Sequence, residues 1–174
     1  GAVAKMSATI AAVAARQTGG WLRGTIRTDM ARAATDATMH IIADTLFSSD
    51  ARLTTRAAGE HIDNLVLASG QARISTILGL QDLDISPVMA RARRGRVYLR
   101  STLTALVRER GPTGGADDFF GGLIRSLYEQ FPAAQAEALA VDNAITFYVA
   151  GHETTANALA WTMYLLAAQP WLQE

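Results

Sequence analysis

AAQAEALAVDNAITFYVAGHETTANALAWTMYLLAA, residues 133 to 168, contains no proline, lysine or arginine. The stretch reads as one helix, which at 1.5 Å per residue would run for roughly 54 Å and cross a whole domain. Phe131-Pro132 interrupts the chain just before it, and Gln169-Pro170 follows it, because proline lacks the amide proton a helix needs and restricts the residue ahead of it. Ile145, Phe147, Tyr148, Val149, Leu159, Trp161, Met163, Tyr164, Leu165 and Leu166 point in nearly every direction around the axis, as expected of a central helix surrounded by others. Asp142, Asn143, His152, Glu153, Thr154, Thr155 and Asn157 interrupt the apolar character. A lipid-spanning helix needs roughly 20 mostly apolar residues, so this reads as a soluble helix.

Within it, Gly151-His152-Glu153-Thr154-Thr155 concentrates poor helix formers. Glycine costs about 1 kcal/mol relative to alanine and threonine up to about 0.7 kcal/mol, so a purely structural helix would gain by replacing them. Ala150 and Gly151 precede Thr154 by four and three residues and share its face, placing two small residues beside a hydroxyl. Such a notch lets a flat or bulky group approach the backbone. Glu153, turned about 100° from Thr154 and flanked by apolar turns, would be partly desolvated, and a carboxylate beside a hydroxyl suits proton delivery. The plainer alternative is that Thr154 and Thr155 bond back to carbonyls one turn earlier and Glu153 sits in a buried ion pair.

Other helical patterns precede this one. An alanine-rich run ends near Arg16, before Gly19-Gly20 and Gly24. Thr28 or Asp29 can cap a second helix with Met30, Ala33, Ala34, Ala37, Ile41 and Ile42 on its buried face, ending near Phe47 before Ser48-Ser49-Asp50. A third pattern runs from Thr54 to about Leu80, with Ile62, Leu65, Val66, Ile74, Ile77 and Leu78 inward and Gly70 as a weak point, closed by a turn from Asp82 to Pro87. A basic helix follows from Val88 to Arg110, with Val97, Leu99, Leu103, Leu106 and Val107 inward. Gly111-Pro112-Thr113-Gly114-Gly115 breaks the chain, and Asp117 or Asp118 can cap a short helix through Leu123, Ile124 and Leu127. The expected fold class is all-α.

Composition agrees. Aromatics are 7% of 174 residues while hydrophobic residues reach 49%, much of the difference being alanine, which favours helices packed through small side chains. Sixteen basic residues balance sixteen acidic ones, leaving no field to attract a polyanion. Arg91, Arg93, Arg94, Arg96 and Arg100 form the densest basic run, and without an aromatic stacking platform they read as a solvated helix face, not a nucleic-acid site. The absence of cysteine excludes disulfides and thiolate chemistry within these residues. Gly1 to Met6 lacks the pattern of a secretory signal, and with no anchor in these residues a cytoplasmic location is expected.

Phe147-Tyr148-Val149-Ala150-Gly151-His152-Glu153-Thr154-Thr155, with Ala158-Leu159-Ala160-Trp161 and Tyr164-Leu165-Leu166 after it, resembles the I helix of cytochrome P450 monooxygenases. Thr35 to Phe47 resembles that family's E helix, Asp117-Asp118-Phe119-Phe120 the start of its H helix, and Gln169 to Glu174 the entrance to its J helix. The resemblance implies a single partial domain over 1–174, with 1–132 as the D to H region, 133–168 as the I helix and 169–174 as the start of the J helix. Residues Thr54 to Arg110 would then roof the substrate pocket.

By the same resemblance, Thr154 would hydrogen-bond the oxygen activated at a haem iron, Glu153 would relay protons from solvent, and Ala150, Gly151, Thr154 and Thr155 would lie along the haem. Thr146, Phe147, Val149 and Ala150 would line the pocket of a small organic substrate, with O2 as co-substrate and an electron-transfer partner of unspecified type. His152 falls at the variable position and reads as an outward polar residue, since no second ligand stands at metal-binding spacing. The family's cysteine ligand is not among these residues, so the chain is expected to be a fragment that does not hold haem alone and self-associates through its small-residue face. A noncatalytic helical ligand-binding or interaction module is the competing reading; a cysteine in a glycine-rich loop elsewhere in the protein would decide against it.

Overall fold

The structure, a computed structural model, describes residues 2–20, 27–69 and 86–172. Among them are six α-helices and two short 3-10 turns, with no strand. The expected all-α class is what is found. Gly24, Gly70, Ile74, Ile77, Leu78 and the start of the turn at Asp82 lie outside the described residues. The chain groups into two compact units, residues 1–50 with 150–174, and residues 51–149.

The first unit holds α1 (Ala2–Thr18), α2 (Met30–Leu46) and, from Ala150 onward, the later part of α6 (Ala133–Ala168). Of the two candidate caps for α2, Asp29 serves, its carboxylate accepting from the Arg32 amide at 3.1 Å. The inward face of α2 is rotated from the expected one. Ala34 and Ile42 are buried as anticipated, together with Thr38, Met39 and Ala43, whereas Ala33, Ala37 and Ile41 are half-buried and line a cavity of about 450 Å³ between α1, α2 and α6. Phe47 and Ser49 close α2 by donating their amides to Ala43 O at 3.1 and 2.9 Å, with Ser48 and Ser49 in the left-handed region at φ 52° and 61°. Val13 of α1 is buried, and Arg16 reaches Asp44 at 3.3 Å on the surface.

In the second unit are α3 (Arg56–Ser69), α4 (Pro87–Arg110), α5 (Phe119–Gln130) and the stretch of α6 from Ala133 to Val149. Ser86 caps α4 with Pro87 in its first turn, where proline's missing amide proton is harmless. The α3–α4 crossing requires Gly95, because a Cβ there would come within 2.6 Å of the His61 carbonyl oxygen. Leu99, Leu103, Leu106 and Val107 are buried as expected; Val97 is 68% exposed, a correction to the predicted face. Asp118 caps α5, accepting from Gly121 N at 2.7 Å and pairing with Arg110 at 2.7 Å where both side chains are 8% exposed. Arg100 and Arg108 of α4 pair with Asp142 and Glu137 of α6. With Arg110, three arginines of that helix are therefore tied to acids, while Arg91, Arg94 and Arg96 are exposed.

Candidate functional site

On α6 the residues Ala136, Ala140, Ala144, Tyr148, His152 and Ala156 are all buried, four apart. That ladder faces inward, so residues turned by about 200° from it, at 100° each, face outward. Ala150 and Thr154 are such residues, and both are exposed. Thr154 Oγ1 donates to Ala150 O at 2.7 Å, the back-bond of a helical threonine. Its lone pairs still point outward and can accept from water or a bound group. Glu153 is half-buried beside it and Thr155 exposed.

Gly151 has a structural reason of its own. A Cβ at Gly151 would meet Ile42 Cδ1 at 3.1 Å, so the missing side chain admits α2. The sequence reading placed Gly151 beside Thr154 as half of a notch; the outward small residue is Ala150. His152 corrects another expectation, being 1% exposed instead of outward-facing, because it occupies the buried ladder midway between Tyr148 and Ala156. Its carbonyl accepts from Thr38 Oγ1 at 3.0 Å.

The remaining sequence-predicted lining residues belong to the second unit. Thr146 is exposed, with its hydroxyl bonded to Asp142 O at 2.9 Å. Phe147 is also exposed and meets Phe119 of α5 edge-to-face, with ring centroids 5.3 Å apart. Val149 is half-buried. Tyr148 beside them is fully buried and donates its hydroxyl to Leu53 O; burial pushes its phenol well above the ordinary range.

Phe119 and Thr38 were not anticipated as neighbours of the site. Phe119 had a signal, since it opens a helix capped by Asp118; Thr38 had none beyond the register of α2. The outward face can cover a flat group with small side chains and one hydroxyl, yet the residues present offer no thiolate, and among the described residues no cluster of histidine, cysteine and acidic side chains could hold a metal ion. The donor set thus fits one face of a haem and not its axial ligation. Among the described residues no helix is long and apolar enough to cross a membrane.

The sequence profile of the family Cytochrome P450 matches residues 3–174. Cyclooctat-9-en-7-ol 5-monooxygenase of Streptomyces melanosporofaciens is 29% identical over 137 residues, covering 78% of this chain and 30% of that protein. Cytochrome P450 4F12 of Homo sapiens is 29% identical over 170 residues, covering 87% of this chain and 32% of that protein. The chain spans about a third of the length of these curated relatives. No solved structure gives a significant match.

Proposed function

The chain belongs to the cytochrome P450 family, and from that premise we propose that it is the oxygen-side portion of a haem-thiolate monooxygenase that inserts one atom of O2 into a small organic substrate. The observation that carries the reading is the outward pair of Ala150 and Thr154, joined by the 2.7 Å back-bond, with Glu153 half-buried alongside. Haem, when bound, supplies the iron at which oxygen is activated. Ala150, Thr154 and Thr155 would lie along it, with Gly151 contributing backbone. Thr154 would offer its hydroxyl to the oxygen or to a water beside it, and Glu153 would hold and pass a proton from solvent. Thr146, Phe147, Val149 and Ala150 border the substrate. These 174 residues contain no cysteine, so the thiolate that would hold the iron, like the electron donor, would be supplied by other residues.

The isolated chain accordingly gives no thiolate-haem absorbance band under carbon monoxide, whereas the holoenzyme carrying this sequence does. In that holoenzyme Glu153→Gln lowers turnover on the order of 10²-fold, the usual contribution of a positioned proton donor. A holoenzyme that consumes O2 without oxygenating any organic compound would overturn the proposal, as would a Glu153→Gln variant of undiminished turnover. Exposed Leu159, Trp161, Tyr164 and Leu165 on α6 favour self-association of the isolated chain.

A further inference from the structure

Thr38 lies in the middle of α2, 3% exposed, and its hydroxyl has three carbonyl oxygens at 3.0 Å. Two belong to Ala34 and Thr35, the back-bonds open to any helical threonine. The third belongs to His152 of α6 and exists only because the two helices come close at this level. Gly151 permits that approach against Ile42, and His152 is buried on the same side. A carbonyl oxygen has two lone pairs. In the α-helical pattern the Ala156 amide takes one on His152 O, so Thr38 can add a second donor without displacing the first, its single proton being shared between His152 O and the two back-bond carbonyls.

The His152 carbonyl is part of the planar peptide that joins His152 to Glu153. Any tilt of that plane moves Glu153 Cα and redirects both its side chain and the next one. From this geometry we infer that Thr38 is a positioning residue for the Glu153 and Thr154 pair: its hydroxyl anchors the peptide from which they project and so sets their alignment for proton delivery. The inference rests on the oxygen-activating reading above. Thr38 acts through the backbone, from the side of α6 opposite Thr154.

Thr38→Val keeps the shape and removes the donor, and every carbonyl involved retains its own helical partner, so the variant is expected to fold. Thr38→Ser keeps the donor. In the holoenzyme carrying this sequence, amide exchange over residues 151–156 is expected to speed by about fivefold in Thr38→Val, the effect of losing one ordinary hydrogen bond, while residues 160–166 stay unchanged. Product formed per O2 consumed falls roughly tenfold at unchanged KM, as for a slightly misplaced catalytic group, and the solvent deuterium isotope effect on turnover rises. Thr38→Ser stays within about twofold of wild type, the margin of a retained hydrogen bond. An active wild type with a Thr38→Val variant matching it in exchange and in product yield overturns this inference alone, as does a Thr38→Val variant that loses only thermal stability. A wild type that oxygenates nothing overturns the functional reading and this inference together.

Discussion

Two stretches of α6 are both rich in alanine and differ in what becomes of their apolar residues. Between Ala133 and Val149 the helix buries Ala136, Ala140, Val141, Ala144 and Tyr148, and its acids Glu137 and Asp142 are matched by Arg108 and Arg100. Between Asn157 and Ala168 no residue is buried, although this stretch carries Leu159, Trp161, Tyr164 and Leu165, with Trp161 65% exposed and set edge-to-face against Tyr164 at 5.7 Å. Hydropathy ranks the second stretch as the better core. Burial does not follow side-chain size either: Ala158, Ala167 and Ala168 are exposed in the second stretch, while Tyr148 is fully enclosed in the first.

The largest effect should come from the buried stretch. Tyr148→Ala empties a fully enclosed site and frees Leu53 O, and is expected to lower the unfolding free energy by about 3–5 kcal/mol in urea titrations; a loss under about 1 kcal/mol would erase the contrast. Gly151→Val should cost about 1–3 kcal/mol by pressing on Ile42, while Gly151→Ala should come out near neutral, the helix gain of about 1 kcal/mol offsetting a milder push. Burial raises the Tyr148 phenol above its free value near 10, so above that pH the folded chain keeps a proton that the unfolded chain has released. Its contribution is therefore complete below about pH 10 and declines above it by up to about 1.4 kcal/mol per pH unit, a slope that should be missing from the stability curve of Tyr148→Phe. Trp161→Ser, in the exposed stretch, should change stability by less than about 0.5 kcal/mol while lowering the mass seen by light scattering at high concentration; an unchanged mass would remove this face from any role in association.

Much of the architecture was legible because local chemistry marks helix ends without reference to neighbours. Asp29 and Asp118 cap through their own side chains, and Pro132 and Pro170 bound α6 by sterics alone, whereas the Ser86 cap of α4 was not anticipated. Faces were harder. On α2, alanines at 33, 34, 37 and 43 gave periodicity almost no contrast, and Thr38 looked polar although the carbonyls of Ala34, Thr35 and His152 all receive its hydroxyl inside the core. Val97 was assigned inward by its side chain, whereas the α3 crossing at Gly95 fixes the rotation of α4 and turns Val97 out. His152 was read as an outward polar residue, although its four-residue spacing from Tyr148 and Ala156 was the signal that places it inside. The group around Thr154 stood out in the sequence because Gly151, Thr154 and Thr155 are poor choices for a helix that only packs.

Arg125 is the last basic residue of the chain, and the same absence of lysine and arginine that leaves α6 uninterrupted also leaves a trypsin-like protease nothing to cut from Ser126 to Glu174. Glu153, Thr154 and the exposed aromatic stretch therefore travel on a single peptide. A covalent label or crosslink placed at any of them is read out in one mass, and tryptic nicks in the folded chain fall elsewhere.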